Sequence, residues 1–238
     1  MTPDIPLPIC PPALDRPYVV VNCAMSADGK IALPDGRQTR ISSEDDIAHV
    51  HRMRNWADAI VIGIGTLLKD DPKLTVKEKF LCADDHPGRM GPPVRVVVDS
   101  QARTPENSLF LNDAAPTIVA TSCHREPDYL IPSTVEIVHC GDGDRVDLEK
   151  LCEVLFRKGV RTIMVEGGGT LIASFMNAGL IDEFQVFIGN KIIGGIGAPS
   201  PVMGAGTAEF SDIIELRINA VIPMDNGIRI HYFVSNSP

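Results

Sequence analysis

The chain has 238 residues, a formal net charge of −9 and 44% apolar residues. That length suits one large domain or two small ones, and the apolar content is too high for a disordered protein. An acidic chain without a Lys/Arg-rich block is a poor ligand for a phosphate backbone, so we expect no nucleic-acid partner.

The cysteines and the apolar runs bear on the compartment in which the chain works. The six cysteines include no C-x-x-C pair, which favours free buried thiols in a reducing cytosol over a zinc or redox site. Charges or glycines interrupt each apolar stretch before it reaches membrane-spanning length, and no signal-peptide pattern is present. We therefore expect a cytoplasmic protein with no bound metal and no membrane partner.

The first segments of the chain differ sharply in composition. Prolines recur in residues 1–16, which are predicted to form an irregular arm ahead of a single domain over residues 17–236. The β-branched run from Tyr18 to Met25 is typical of a strand that is covered on both faces, as in a parallel sheet.

Helix-like and strand-like segments then alternate. Ser42 and Ser43 each precede an aspartate by three positions, the spacing of a capping box, which predicts a helix that ends near Trp56. Further strands are predicted at 59–63, 94–99, 117–121, 135–138, 161–166, 183–188, 213–218 and 228–234, and further helices at 65–69, 147–158 and 170–178. Asn226-Gly227 is typical of a hairpin turn. This order predicts an α/β fold with a mostly parallel central sheet, flanked by helices and closed by a C-terminal antiparallel hairpin.

Three consecutive glycines, Gly167 to Gly169, lie between a strand that ends at Glu166 and a helix that begins near Thr170. Because glycine has no side chain, a ligand can approach the backbone closely. A helix N-terminus also directs N–H groups and the positive end of its dipole at an anion. The pattern indicates a phosphate site, and a tight turn without a ligand is the alternative. The glycine pattern is neither a Rossmann nor a Walker A motif, so it does not indicate which cofactor would bind.

Polar residues also follow other strands, at the sheet edge where open α/β proteins bind ligands. Glu166 can accept hydrogen bonds from an amino-substituted ring, or it is an exposed carboxylate at a helix N-terminus. Thr66 and Asp70 share a helix face and either bind a ligand or belong to a capped short helix. Ser100 and Arg103 form either a phosphate fork or a solvated turn.

Two cations and the histidines complete the candidates. Lys30 and Arg54 can bind a phosphate or a polarised ribose oxygen, with a solvated surface cation as the alternative for each. The six histidines show no metal-ligand spacing. His49 and His51 are predicted to be surface or partly packed residues.

A set of segments along the chain matches a known family in order and spacing. They are VNCAMSADGKIA at 21–32, ISS at 41–43, RMR at 52–54, GIGTLLKDDPKLTV at 63–76, VVVDS at 96–100 with Arg103, and VEGGGTL at 165–171. Together they resemble the riboflavin-biosynthesis reductase family, whose N-terminal loop has the pattern S-x-D-G-K/R. The resemblance spans roughly residues 17–234 and implies a dihydrofolate-reductase-like fold.

The resemblance implies an NADPH-dependent oxidoreductase that works as a homodimer. Its substrate would be 2,5-diamino-6-ribosylamino-4(3H)-pyrimidinone 5′-phosphate, whose ribosyl group is reduced to the ribitylamino product. Arg103 or residues 122–125 would meet the cofactor 2′-phosphate. The other cofactor positions are Thr66, Asp70, Ser100, Gly167, Gly168, Gly169 and Thr170; the substrate positions are Ser42 or Ser43, Arg54, Leu74 and Glu166; the catalytic candidates are Lys30, Asp28 and Glu166.

The zinc deaminase signature that accompanies the bifunctional bacterial form, H-x-E with P-C-x-x-C, is missing from this sequence. The chain therefore resembles the stand-alone archaeal and fungal reductases. In that mechanism Lys30 would assist the ribose ring oxygen, Asp28 and Glu166 would orient the substrate, and Arg54 would hold the 5′-phosphate. Two alternatives remain: a reductase of the same fold for the deaminated pyrimidine, a pterin or dihydrofolate, and a non-catalytic nucleotide-binding protein.

Overall fold

The computed structural model describes residues 6–8, 15–82, 85, 90–122 and 129–235. Most of the predicted proline-rich arm lies outside the described residues, as do His86 and the segment 123–128. None of the helices in the described ranges has the length and apolar content needed to span a bilayer.

One mixed sheet of nine strands organises the described chain. The strands are β1 (Tyr18–Ser26), β2 (Ala59–Gly63), β3 (Val94–Val98), β4 (Thr117–Thr121), β5 (Val135–His139), β6 (Thr162–Gly167), β7 (Glu183–Gly189), β8 (Leu216–Met224) and β9 (Gly227–Val234). Their spatial order is β5-β4-β3-β2-β6-β1-β7-β9-β8. The first seven in this order are parallel, and β9 and β8 continue the sheet antiparallel.

Within the described residues four α-helices connect the strands, each near its predicted place. They are α1 (Glu44–Trp56), α2 (Ile64–Asp70), α3 (Leu148–Arg157) and α4 (Gly169–Asn177). The capping prediction for α1 is confirmed at Ser43, whose Oγ accepts a hydrogen bond from the Asp46 backbone N at 3.1 Å. Gly159 follows α3 with a φ of 92°, a left-handed conformation that glycine adopts without strain.

The predicted fold class, with its mostly parallel sheet and C-terminal hairpin, is confirmed. The predicted strand at 213–218 is wrong at both ends, because β8 begins at Leu216 and runs on to Met224. Pro223 lies inside it, and a residue without an N–H group is tolerated there since β8 is an edge strand.

Apolar layers cover both faces of the sheet. Val19 and Val21 pack with residues of α3 and α4, whereas Val20, from the alternate positions of β1, packs against α1. The near-continuous apolar run in β1 therefore has the cause that was predicted from it, a strand buried on two faces.

A buried polar pair fixes the start of α1 on the sheet. Arg229 of β9 donates from Nη2 to the Asp46 carboxylate at 2.6 Å, and both side chains are almost completely buried. The same guanidinium also donates to Asn22 of β1. Because a buried charge is costly unless it is paired, this pair holds α1 in one orientation over β1.

Candidate active site

Two cavities open at the carboxyl edge of the parallel strands. The glycine cavity, of about 400 Å³, is lined by the turn after β6, the first residues of α2 and the loops 31–42 and 199–203. The arginine cavity, of about 530 Å³, is lined by the inner side of α1, by Leu74 and by Arg54. Both lie where the strand order places the ends of β1, β2 and β6 side by side.

The two cavities meet at a shared wall. Cys23, Ser42, Thr66, Asp70 and Glu166 line both of them. The residues from Gly167 to Thr170 line the glycine cavity, while Arg54 and Leu74 line the arginine cavity. Ligands bound in the two cavities would therefore both lie beside Glu166.

The three glycines at the junction of β6 and α4 are each required for a different structural reason. Gly167 has a φ of 117°, in the left-handed region that other residues rarely adopt. A Cβ at Gly168 would lie 3.1 Å from the Thr66 Oγ1, and one at Gly169 would lie 2.5 Å from the Ser200 carbonyl oxygen. Part of the glycine requirement is thus close packing, which the sequence did not reveal.

The turn also leaves the start of α4 open. Gly168 is the N-cap residue, and no side chain of the described residues caps the first turn of the helix. Uncapped N–H groups at a helix N-terminus attract anions. Because this helix end lines the glycine cavity, the arrangement fits a phosphate group placed there.

Arg54 and Glu166 form a two-point ion pair across the arginine cavity. Arg54 donates from Nε to one Glu166 oxygen at 2.6 Å and from Nη2 to the other at 2.7 Å. Burial lowers the pKa of Arg54, but the Glu166 charge and its hydrogen bonds raise it, and the net shift is upward. The pair joins residues 112 positions apart, and sequence spacing did not predict it.

Leu74 lies beside this pair in an unusual backbone conformation. Its φ is 47°, and its side chain is 3% exposed. The next residue, Thr75, accepts a hydrogen bond from Arg54 Nη1 at 3.2 Å. Arg54 therefore holds both Glu166 and the segment that carries Leu74.

The two serines ahead of α1 are in different environments. Ser43 is 3% exposed and caps the helix, whereas Ser42 lines both cavities. The geometry thus favours Ser42 over Ser43 as the residue that meets a ligand.

The loop that carries Lys30 is tied down by Asp28. The Asp28 carboxylate accepts hydrogen bonds from Ser26 Oγ at 2.6 Å and from the backbone N of Ile193 and Gly194 at 3.0 and 2.7 Å. The bond from Ser26, followed by the two backbone bonds, lowers the pKa of Asp28 to about 2. Lys30 Nζ donates to the Ala198 carbonyl at 3.2 Å. These contacts favour a positioning role for Asp28.

Asp70 and Thr66 lie on one face of α2, as their four-residue spacing predicted. Both also line the two cavities. Asp70 accepts a hydrogen bond from Gln38 Nε2 at 2.7 Å, which links the loop 31–42 to α2. Gln38 also lines both cavities. No sequence pattern pointed to Gln38, since a polar loop residue has no periodicity that marks it.

Ser100 and Arg103 lie outside the lining of the two cavities. Ser100 Oγ accepts a hydrogen bond from the Val146 backbone N at 3.0 Å, and Arg103 lies 3.8 Å from the Asp99 carboxylate with 56% of its side chain exposed. Neither is among the described residues that line the two cavities. Residues 123–125, the other predicted 2′-phosphate group with Ser122, lie outside the described residues.

The prediction of surface or partly packed histidines is wrong for His49 and His51, which are 1% and 4% exposed. His49 is buried under α1 near His231, and His51 stacks on Phe80 with ring centroids 4.9 Å apart. The segment 77–80 covers His51, since Phe80 stacks on its ring and the Lys77 backbone N donates to its Nδ1.

Comparison with known proteins identifies the family of this chain. The family model described as the RibD C-terminal domain matches residues 17–230. The chain is 42% identical over 221 residues to the 2,5-diamino-6-ribosylamino-4(3H)-pyrimidinone 5′-phosphate reductase of Methanothermobacter thermautotrophicus, covering 92% of this chain and 99% of that relative. The enzyme of the same name from Archaeoglobus fulgidus is 46% identical over 188 residues, which cover 78% of this chain and 85% of the relative.

Solved structures share the fold. A deaminase/reductase from Thermotoga maritima matches with a TM-score of 0.74 and 26% identity, over 92% of this chain and 57% of that one. The Saccharomyces cerevisiae riboflavin biosynthesis reductase Rib7 matches with a TM-score of 0.71 and 20% identity, over 94% and 92% of the two chains. At that identity the Rib7 likeness speaks for the fold alone.

Proposed function

Because the chain belongs to the family of the RibD C-terminal domain, we propose that it catalyses the NADPH-dependent reduction of 2,5-diamino-6-ribosylamino-4(3H)-pyrimidinone 5′-phosphate in riboflavin biosynthesis. The product would be the ribitylamino compound. Two archaeal relatives that match most of the chain are named for the reduction of this pyrimidine.

The observation that carries the proposal is the pair of cavities that meet at Glu166. The open start of α4 supports placing the pyrophosphate of NADPH in the glycine cavity, held by Gly167 to Thr170 with Thr66 and Asp70 nearby. The arginine cavity offers a cation for a 5′-phosphate and a carboxylate for the amino groups of a pyrimidine. Ser100 and Arg103 are proposed to bind the part of the cofactor that extends beyond the glycine cavity.

The residues of the chain have three tasks in this reaction. Glu166 orients the pyrimidine, Arg54 holds the 5′-phosphate with help from Ser42 and Leu74, and Lys30 manages a proton at the ribose ring oxygen. NADPH, when bound, supplies the hydride that reduces the sugar C1′. The ring oxygen leaves C1′ as the sugar opens, takes the proton and becomes a hydroxyl of the ribityl chain.

The test is NADPH oxidation followed at steady state with the diamino and the deaminated pyrimidine phosphates side by side, and with dihydrofolate as a third substrate. We expect turnover with the diamino compound at a kcat/KM higher than that for the other two. Preference for dihydrofolate or for the deaminated pyrimidine would move the chain to another substrate. NADPH binding without oxidation on any of the three would make it a non-catalytic binding protein.

Replacing Gly169 by Ala is expected to weaken NADPH binding. The new Cβ would lie 2.5 Å from the Ser200 carbonyl oxygen and 2.8 Å from Met203 Cγ, so the backbone around the turn must move. Overpacking of this kind costs about 1–3 kcal/mol, which corresponds to a rise of roughly 5- to 150-fold in the Kd for NADPH measured by calorimetry. Gly143→Ala is the control, since its Cβ would meet nothing within 4 Å. Equal affinities of the two variants would contradict the placement of the cofactor.

We also propose a homodimer that covers the exposed edge of the sheet. β8 is an edge strand of nine residues, and Ile218 and Val221 on it are 58% and 53% exposed. An exposed, long apolar edge favours association with a second copy.

Residues 17–236 are proposed to be one domain, because a single sheet contains strands from Tyr18 to Val234. The cysteines of the described residues are free thiols, which supports a cytoplasmic location.

Charge on this edge is expected to separate the dimer. The double variant Ile218→Lys, Val221→Lys places two cations on an apolar contact. Light scattering after size exclusion should show the mass of a dimer for the native protein and the mass of a monomer for the variant. Leu130→Lys is the control, because Leu130 is 90% exposed and precedes β5, the strand at the opposite edge of the sheet from β8. A monomeric native protein, or a double variant that stays dimeric, would contradict the proposal.

A further inference from the structure

His51 lies in the arginine cavity although the proposed reaction assigns it no task. It follows Val50 on the inner side of α1 and lines the same cavity as Arg54 and Leu74. The residue is 4% exposed, and its ring stacks on Phe80 with an angle of 12° between the planes. The stack fixes the direction of the ring.

The hydrogen bond that the ring accepts defines its tautomer. The Lys77 backbone N donates to His51 Nδ1 at 3.3 Å. Because a nitrogen that accepts carries no proton, the proton of the neutral ring is on Nε2. Among the described residues, Nε2 has no hydrogen-bond partner, and it is not one of the buried polar atoms sealed from solvent. A hydrogen-bond donor therefore remains available in the cavity.

The surroundings of His51 are mainly cationic. Burial is the main reason that the pKa of His51 falls to about 4, and the charges of Arg54, Lys77 and Lys79 lower it further, against the opposite effect of Glu166. The ring is thus neutral at the pH of the cytosol. A neutral donor beside three cations and one carboxylate is suited to an anion, because the local potential is positive.

We propose that His51 binds the 5′-phosphate of the substrate by donating a hydrogen bond from Nε2 to a phosphate oxygen, beside Arg54. The inference rests on the proposed function, which supplies a phosphate ester as substrate. His51 and Arg54 are three residues apart on α1, and both hold the segment 75–77, His51 through the Lys77 N and Arg54 through the Thr75 carbonyl. The donor and the cation are therefore fixed relative to each other.

The test compares two variants on substrates with and without the 5′-phosphate. His51→Asn keeps an acceptor near the position of Nδ1 for the Lys77 N but lacks the distal donor, and His51→Gln keeps a donor near the position of Nε2. For His51→Asn we expect the KM of the phosphorylated substrate to rise about 10-fold with kcat nearly unchanged. His51→Gln should stay within about threefold of the native enzyme. Neither variant should change the KM of the unphosphorylated substrate.

Equal losses on both substrates, or no loss in His51→Asn, would overturn the assignment. A second measurement does not depend on activity: NMR titration of the His51 ring in inorganic phosphate against chloride of the same ionic strength. Bound phosphate should raise its pKa by about one unit, since an opposite charge nearby favours the protonated ring. An unchanged His51 pKa would overturn the proposal. If the native protein reduces neither pyrimidine, the proposed function fails, and the phosphate titration alone decides the role of His51.

Discussion

Replacing Glu166 by Gln is expected to lower kcat/KM for the pyrimidine substrate by roughly 10- to 100-fold, because hydrogen bonds to a charged group contribute about 1.5–3 kcal/mol. Glu166 lines both cavities and accepts two hydrogen bonds from Arg54. The amide keeps the shape of the carboxylate but loses its charge and half of its acceptor capacity. The loss should appear with the pyrimidine, and the Kd for NADPH should change by less than about threefold.

The control for Glu166→Gln is Glu136→Gln. Glu136 also accepts from a cation, Lys158 Nζ at 2.7 Å, but the two side chains are 52% and 37% exposed. An exposed ion pair contributes about 0–1 kcal/mol, so this variant should keep its activity. Steady-state kinetics with thermal unfolding of both variants separates a local effect from a loss of fold. If Glu166→Gln keeps the native kcat/KM while remaining folded, Glu166 does not contact the pyrimidine.

Replacing Lys30 by Ala is expected to reduce kcat on the order of 10²-fold, the usual effect of removing a proton-handling group. Two hydrogen bonds hold Lys30 in place. Its backbone N donates to Ser26 Oγ at 2.9 Å, and its Nζ donates to the Ala198 carbonyl oxygen. Lys30→Arg keeps the positive charge at this position and should recover part of the rate. The measurement is single-turnover reduction with the substrate and NADPH both saturating.

Lys191→Ala is the matched control for Lys30→Ala. Lys191 also donates from Nζ to a backbone carbonyl, that of Arg40, and is exposed. We expect it to leave kcat unchanged. A Lys30→Ala variant that turns over at nearly the native rate would show that the proton comes from another group or from water.

The sequence was sufficient for the fold because the local and long-range signals agree. The β-branched run in β1 predicted a strand buried on two faces, and Val20 and Val21 do pack on opposite sides of the sheet. The Asn226-Gly227 turn predicted the C-terminal hairpin. The end of β8 was predicted at residue 218, whereas the strand continues through Pro223 to Met224, which its edge position allows.

The candidate site was less completely predictable because its contacts are long-range. Arg54 and Glu166 were each candidates, yet only the strand order brings them together. His51 looked like a surface residue because nothing in its spacing shows that Phe80 covers it. The glycines after β6 were predicted to make room for a ligand, whereas Gly169 is also required by its contact with the loop 199–203.

A crystal structure of the protein with NADP and the diamino pyrimidine product tests the division of the cleft most directly. We expect the pyrophosphate within hydrogen-bond distance of the backbone N–H groups from Gly168 to Thr170. The pyrimidine should contact Glu166, and its 5′-phosphate should contact Arg54. A dinucleotide phosphate bound at Arg54, or a pyrimidine seated against Gly168 and away from Glu166, would contradict the account.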